Sequence, residues 1–502
     1  MDSIKELINL LSNTDKKQFR QFLQRKNKRN DVKNLKLLTL LETDDISVLN
    51  KLYKSKKNDD AYYALRKRLQ DNLLLFLAQK TFETSHADSY EALRLLVVGR
   101  FLLENDVVKT GLKCLNKAEG LAEHLEQFNL HNELLLLKLQ YAHLPGGEDL
   151  EALTARFLKN HAAMQREAKL NLAYAFLRKE VQEIHLEGKI VNLKVLMLTT
   201  IRKYKISEQD LMTYKSIFQI LSIANEYAAI QQNYSLIERY INKTDKFIRA
   251  QTDNKRPHLF HHISILYFLA NFHLRRKNFA NSASLLIKMR DLMESDTQYY
   301  KLFFLRYQLL SGLNLFFTGH AKDAIELLQV SLCTKHTTKP EDIEDIRICL
   351  AMFLAMSNDR ESLKQLSLMI RTDAWYEKKM GMLWTIRKNL MEILVYAQFG
   401  NIELAMSRLS SFRRRYKSYL IETSEERVVL YLRLVEKYLM KPDVTFDMEY
   451  RESVLKQLSV ADENDIFNLC FIAWLIAHWQ KKTAYNVVLT LIHDDNRTTL
   501  NA

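Results

Sequence analysis

The stretch ANFHLRRKNFANSASLL, residues 270–286, carries the pattern that decides the fold. Ala270 stands in the middle of one apolar-periodic segment, the polar triplet Arg276-Lys277-Asn278 interrupts it, and Phe279, Ser282 and Leu286 open the next. The arrangement returns in GLNLFFTGHAKDAIELL, residues 312–328, with Gly312 mid-helix, Thr318-Gly319-His320 as the turn, and Ala324 and Leu328 following. It returns again at Tyr396, Phe399-Gly400-Asn401, Ala405 and Leu409, with Asn358-Asp359-Arg360, Ser362 and Leu366 between. The small residues Ser282, Ala324, Ser362 and Ala405 are spaced by 42, 38 and 43 positions. Small side chains at fixed offsets let two helices approach closely, and a Gly or Asn turn ends one helix and reverses the chain.

Working outward, composition agrees with helices throughout. The 502 residues include only 10 Gly and 4 Pro, where average usage of about 7% and 5% would give several times more. Hairpins and sheets need those turn formers. The chain is 47% hydrophobic and 27% charged, enough apolar material for a core and too much for a mainly disordered chain. A single core stops growing beyond roughly 250–300 residues, so this length implies several domains or an extended array.

These residues resemble the tetratricopeptide family of helical repeats over about 258–420. The resemblance implies an all-α fold, an α-solenoid of antiparallel helix pairs (a TPR-like superhelix) whose groove binds a protein or peptide. Units run near 40 residues instead of 34, and no proline regularly closes them, so a looser helical repeat of another family fits the same spacing. Asn105-Asp106-Val107 and Asn233-Tyr234 mark degenerate units upstream, and Trp474 to Leu491 a last one. The expected organisation is a basic helical N-terminal domain over 1–80, a degenerate helical-repeat region over 88–250 and the TPR-like region over 258–502. In the first of these, helices are predicted at Ile4 to Leu11, Thr14 to Arg25, Lys33 to Leu41, Ile46 to Tyr53 and Asp60 to Lys80. Pro145-Gly146-Gly147 marks a sharp helix-to-helix loop or a subdomain seam. Pro257, Pro340 and Pro442 stand at helix starts. The alternation Val444, Phe446, Met448, Tyr450 is read as helix entry, because a lone strand would have nothing to pair with.

The four cysteines, Cys114, Cys333, Cys349 and Cys470, lie far apart without metal-ligand spacing and read as reduced thiols. The start of the chain has no basic region leading into an apolar run, and the longest apolar stretch, Ile466 to Trp479, is 14 residues, short of the roughly 20 that cross a bilayer. A cytoplasmic protein without integral membrane association is therefore expected.

Catalytic motifs are missing: there is no phosphate loop, no GxSxG elbow and no HExxH. The expectation is a protein that is not an enzyme and holds no cofactor. His258, His261 and His262 could point ligands in one direction, but they sit at a helix start with no Cys or carboxylate nearby in sequence, so they read as packing or solvated histidines and no metal is assigned. For a partner in the groove, the candidate contacts are His262, Tyr267, Arg306, Asn314, Arg387 and Asn389. The alternative reading is a regulator that binds nucleic acid through its N-terminal domain. The net charge is +14, of which +8 falls within residues 1–80, from 18 Lys and Arg against 10 Asp and Glu. Arg25, Lys26, Lys28, Arg29, Arg66, Lys67, Arg68, Arg413, Arg414 and Arg415, with Lys54, Lys56 and Lys57, would then meet phosphates or an acidic partner. A helix-turn-helix formed by Ile46 to Tyr53 and Asp60 to Lys80 belongs to that alternative, although its turn lacks glycine. Solvated helix faces explain the same charges, since consecutive residues point about 100° apart.

Overall fold

The computed structural model describes residues 4, 7–8, 11–26, 33–43, 59–84, 88–187, 193–207, 213–230, 234–250, 258–334, 339–422, 426–461 and 466–500. The described residues are helical with no strands. They divide into two compact units, Met1–Ala162 and Ala163–Ala502.

The first unit contains α1 (Asn13–Lys26), α2 (Lys33–Thr43), α3 (Asp59–Thr84), α4 (Asp88–Glu104), α5 (Val108–His124), α6 (Phe128–Gln140) and the beginning of α7 (Leu150–Glu187). Ser12 and Asp15 open α1 with a reciprocal cap: the Asp15 amide donates to Ser12 Oγ at 3.2 Å and the Ser12 amide to Asp15 Oδ2 at 3.1 Å. Phe19 and Leu23 of α1, Leu37 and Leu38 of α2, and Leu69 and Leu73 of α3 bury one core. The predicted helix at Ile46 to Tyr53 lies outside the described residues, as does half of Ile4 to Leu11. Glycines set the α4–α5 crossing. A Cβ on Gly99 would meet Leu115 Cδ2 at 2.7 Å, and one on Gly111 would meet Leu103 Cγ at 2.8 Å, so neither helix leaves room for a side chain there.

The second unit continues with α8 (Leu193–Tyr204), α9 (Tyr214–Ile230), α10 (Glu238–Ala250), α11 (Leu259–Arg275), α12 (Phe279–Glu294), α13 (Thr297–Phe317), α14 (Ala321–Leu332), α15 (Pro340–Met356), α16 (Glu361–Ser367), α17 (Asp373–Met380), α18 (Met382–Gln398), α19 (Ile402–Glu422), α20 (Glu426–Met440), α21 (Met448–Ala461), α22 (Ile466–Gln480) and α23 (Ala484–Leu500). Pro340 occupies the first position of α15, and Pro442–Phe446 forms a short 3-10 helix leading into α21, so the alternation there is helix entry as expected. Each of α11, α13, α15, α18 and α22 packs along the helix that follows it, and α11, α13, α15 and α18 also touch one another in sequence order. One continuous core runs from Leu259 to Ile492.

The turns between paired helices share one geometry. A residue with positive φ, Lys277 at 59°, Gly319 at 101°, Asn358 at 59° or Gly400 at 81°, follows the helix end. The next amide then donates to the carbonyl five residues back: Asn278 to His273 (2.8 Å), His320 to Leu315 (2.9 Å), Asp359 to Leu354 (2.8 Å) and Asn401 to Tyr396 (2.9 Å). This is the bond that closes a Schellman turn. Asp106 and Glu126 make the same turn in the first unit, with Val107 bonding to Leu102 and Gln127 to Ala122.

Small residues sit at the contacts these turns create. Ser282, Ala324, Ser362 and Ala405 are all fully buried, and Ser282 Oγ donates to the Ala270 carbonyl at 2.8 Å. A Cβ on Gly312 would stand 2.9 Å from Leu328 Cδ2. Gly312→Val is therefore expected to lower stability by about 1–3 kcal/mol in denaturant unfolding, as overpacking does. The same substitution on a Leu328→Ala background should cost clearly less, because the colliding atoms are gone. An equal cost on both backgrounds would show that the crossing is not what excludes a side chain.

The C-terminal hairpin makes contacts that a purely neighbour-to-neighbour stack would not. Tyr485 of α23 donates its hydroxyl to the Phe316 carbonyl at 2.9 Å, and its ring lies 4.7 Å from that of Phe316. Phe467 of α22 packs on Phe317, with the Arg275 guanidinium 4.2 Å from its ring centroid. Trp474 donates Nε1 to Gln398 Oε1 at 3.2 Å. Arg275, Phe316, Phe317 and Gln398 all stand at the C-terminal ends of α11, α13 and α18, so α22 and α23 cover that end of these helices. The stretch from Ile466 is thus a core helix, apolar on all sides because it is covered on all sides. Among the described residues, no helix is long and apolar enough to cross a membrane.

Candidate functional site

Away from that covered end, a cavity lies against the middles of α11 and α13 and the starts of α15 and α18. Tyr267 from α11, Leu305, Arg306 and Leu309 from α13, Glu341, Asp342 and Asp345 from α15, Lys379 and Met380 from α17, and Trp384 from α18 line a cavity of about 290 Å³. The volume lies at the lower edge of the roughly 300–1,000 Å³ of small-molecule pockets, and so suits one side chain better than a large cofactor.

Asp342 and Asp345 share one face of α15 because they are three residues apart. Asp342 is neutralised by Arg306, whose Nε lies 3.1 Å from Oδ1. Asp345 instead accepts the Trp384 indole N–H at 2.8 Å and, among the described residues, has no ion-pair partner. Burial pushes its carboxyl up to about 7, against the pull of the Trp384 hydrogen bond, with the neighbouring Asp342 charge adding to the rise and Arg306 opposing it. Burial also pushes the Tyr267 hydroxyl up to about 12 and, with help from the Asp345 charge, the Cys349 thiol one turn beyond Asp345 to about 12. Neither can serve as an anionic nucleophile near neutrality. Trp384 is fixed from behind by stacking on Tyr376, centroids 5.2 Å apart, and the Tyr376 hydroxyl in turn bonds Glu344 at 3.1 Å. Lys388 supports the same wall, held by Asp373 at 3.1 Å and Glu392 at 2.8 Å. The arrangement is a polar socket with aromatic side chains in its walls.

Of the partner contacts expected from sequence, Tyr267 and Arg306 come together here. Asn314 and Asn389 are buried: the Asn314 amide donates to Ser282 Oγ at 2.9 Å and to the Leu310 carbonyl at 3.0 Å, and the Asn389 amide donates to the Thr385 carbonyl at 2.9 Å. The Asn314 amide ties α13 to α12, whereas that of Asn389 bonds within α18. His262 is buried against Tyr214, and Arg387 is partly buried on α18. His258 stacks on Tyr214 at 4.8 Å, and His261 lies 5.4 Å from Phe218, where burial and the charges of His258 and Lys215 hold its imidazole down to about 4. The three rings thus pack among aromatics, as the packing reading expects. Sequence reasoning missed Asp342, Asp345 and Trp384. Their one visible signal was the run Pro340-Glu341-Asp342 with Asp345 a turn later, which reads equally well as acidic residues favouring a helix N-terminus.

The basic residues fall into two groups. Arg413 is bidentate on Glu436 at 2.6 and 2.5 Å, and Arg415 is bidentate on Glu377 at 2.7 and 2.8 Å. Both guanidinium forks are occupied by carboxylates. Arg414 is exposed. In the first unit, Arg66 lies against the Tyr62 ring and Lys26 bonds Asn72 Oδ1 at 2.8 Å, while Arg25, Lys67 and Arg68 are exposed. Lys28, Arg29, Lys54, Lys56 and Lys57 lie outside the described residues, as does the first helix of the helix-turn-helix reading.

No family model matches the chain, and no curated protein matches it.

Proposed function

We propose that this chain is a non-catalytic, cytoplasmic binding scaffold: a TPR-like solenoid that holds a protein or peptide partner on the face formed by α11, α13, α15 and α18. The observation that carries this reading is the division of that face. One end is filled by the chain's own α22–α23 hairpin through Phe467, Trp474 and Tyr485, while Tyr267 and Arg306 at the middles of α11 and α13 and Trp384 at the start of α18 surround an open cavity. A stack of helix pairs offers such a face because each first helix contributes one turn of side chains to it. The nucleic-acid alternative is supported less, since two of its arginines are already bound to carboxylates.

Affinity capture from the native lysate tests the choice. The intact chain and a variant with Arg25, Lys26, Lys67 and Arg68 changed to Ser should retain the same partner, resistant to nuclease. Loss of capture in the variant, or on nuclease treatment, would favour phosphate contacts instead.

A further inference from the structure

We propose that the cavity binds a protonated primary amine on an aliphatic stem, the chemistry of a lysine side chain, with its ammonium at Asp345 and its stem against the walls from Trp384, Met380 and Leu309. The inference rests on the reading of this face as a binding surface and names what the face anchors.

Two features of the geometry point to a cation. The lining holds the carboxylates of Glu341, Asp342 and Asp345 against the bases Arg306 and Lys379, so it is acidic in a protein whose net charge is +14. Within it the charges are not evenly matched: Arg306 is held by Asp342, whereas Asp345 receives only one neutral hydrogen bond. A buried carboxylate with no ion-pair partner, felt by Arg306 and Arg275 only from a distance, is costly, and a cation brought by a ligand removes that cost. An anionic ligand would have to approach Arg306 and Lys379 beside an unneutralised Asp345.

An ammonium is preferred to a divalent metal because of the donor set. Asp342 already holds Arg306, which leaves too few free carboxylate oxygens for the six or more ligands that a hard divalent cation takes. Among the described residues, no group of three acidic, His or Cys side chains is arranged to hold a metal ion.

Binding should strengthen as pH rises through neutrality, because the amine stays protonated while Asp345 ionises near pH 7. The groups that face Asp345 are Asp342 on its own helix, Arg306 from α13 and Arg275 and Tyr267 from α11, with Cys349 one turn away and Glu341 of α15 and Lys379 of α17 elsewhere in the lining. The arginines remain charged, Asp342 remains paired, and Tyr267 and Cys349 remain neutral across this range, so Asp345 dominates the dependence.

The intact chain contains four tryptophans, so labelling with 5-fluorotryptophan gives a small set of ¹⁹F resonances, and Trp384→Phe identifies the one in the cavity. Titration with n-butylammonium and with N-acetyl-lysine methylamide should shift that resonance saturably. Butyrate and N-acetyl-norleucine methylamide should not. Affinity for butylammonium in the wild type should rise about tenfold from pH 6 to pH 8, and Asp345→Asn, matched in shape, should weaken it at least tenfold at pH 8. The proposal is overturned by the absence of a saturable shift, by equal shifts with butyrate or the norleucine derivative, or by pH-independent affinity in the wild type, which requires no variant to fold. A null result here leaves partner capture untouched, and failure to capture a partner leaves this titration untouched, so the two readings fail separately.

Discussion

Phe316→Ala is expected to destabilise the second unit by about 3–5 kcal/mol, the range for removing a fully buried aromatic ring. Phe316 is completely buried, its ring stacked on Phe353 with centroids 4.0 Å apart and nearly parallel planes, and it also meets Phe317 and Tyr485. The loss would reach beyond α13, because Phe316 joins α15 on one side to α23 on the other. Denaturant unfolding followed by fluorescence should show the midpoint of the second unit falling, while Tyr485→Phe, which removes only the hydroxyl bonded to the Phe316 carbonyl, should cost about 1 kcal/mol. If Phe316→Ala cost no more than Tyr485→Phe, the ring would not be the junction described.

The second large effect is expected in the first unit, where a charge cluster replaces apolar packing. The Lys138 side chain is only 3% exposed and bonds Glu119 Oε2 at 2.5 Å, while also pairing with Glu148. Arg156 joins both carboxylates, and His131 Nε2 lies 3.5 Å from Glu119 Oε1. Burial by itself would push the Glu119 carboxyl up, but His131, Lys138 and Arg156 outweigh it and hold it down to about 2. Glu119→Ala would leave the buried ammonium with Glu148 alone, and should cost about 3 kcal/mol at pH 7.

The pH dependence has a definite sign. A carboxylate with a depressed folded-state value contributes stability that is fully present above its unfolded value near 4.5 and is lost as pH falls toward 2. Thermal unfolding of the first unit should therefore weaken steeply over that window in the wild type and much less in Glu119→Ala. Parallel pH profiles would contradict the assignment.

The helical fold was legible because its signals are local. Scarcity of Gly and Pro excluded sheets, and Gly319, Asn358 and Gly400 marked turns where a left-handed residue is needed. Lys277 and Glu126 take the same conformation without announcing it, because the closing hydrogen bond and neighbouring helix contacts impose it on residues that do not favour it. The single 38-residue α7 was equally hidden within a region read as degenerate pairs, since the sequence pattern there lacks a clear break.

The site was legible only in part. Tyr267 and Arg306 could be placed on first helices by their spacing, but Asp345 and Trp384 meet across 39 positions through tertiary packing that no periodicity encodes. Helix phase also misleads where a polar residue serves the fold: Asn314 and Asn389 look like surface amides and bond to neighbouring turns. The contact of Tyr485 with Phe316 spans 169 positions, so the filling of one end of the face could not be read from unit spacing.

The claim that the open cavity on this face is the binding surface is tested most directly by photocrosslinking in the native cell. A photoreactive residue placed at Leu309, on the cavity wall, should capture one partner reproducibly, and the same residue at Arg290, exposed on α12 outside the cavity, should not. Equal capture from both positions, or capture from Arg290 alone, would contradict the account.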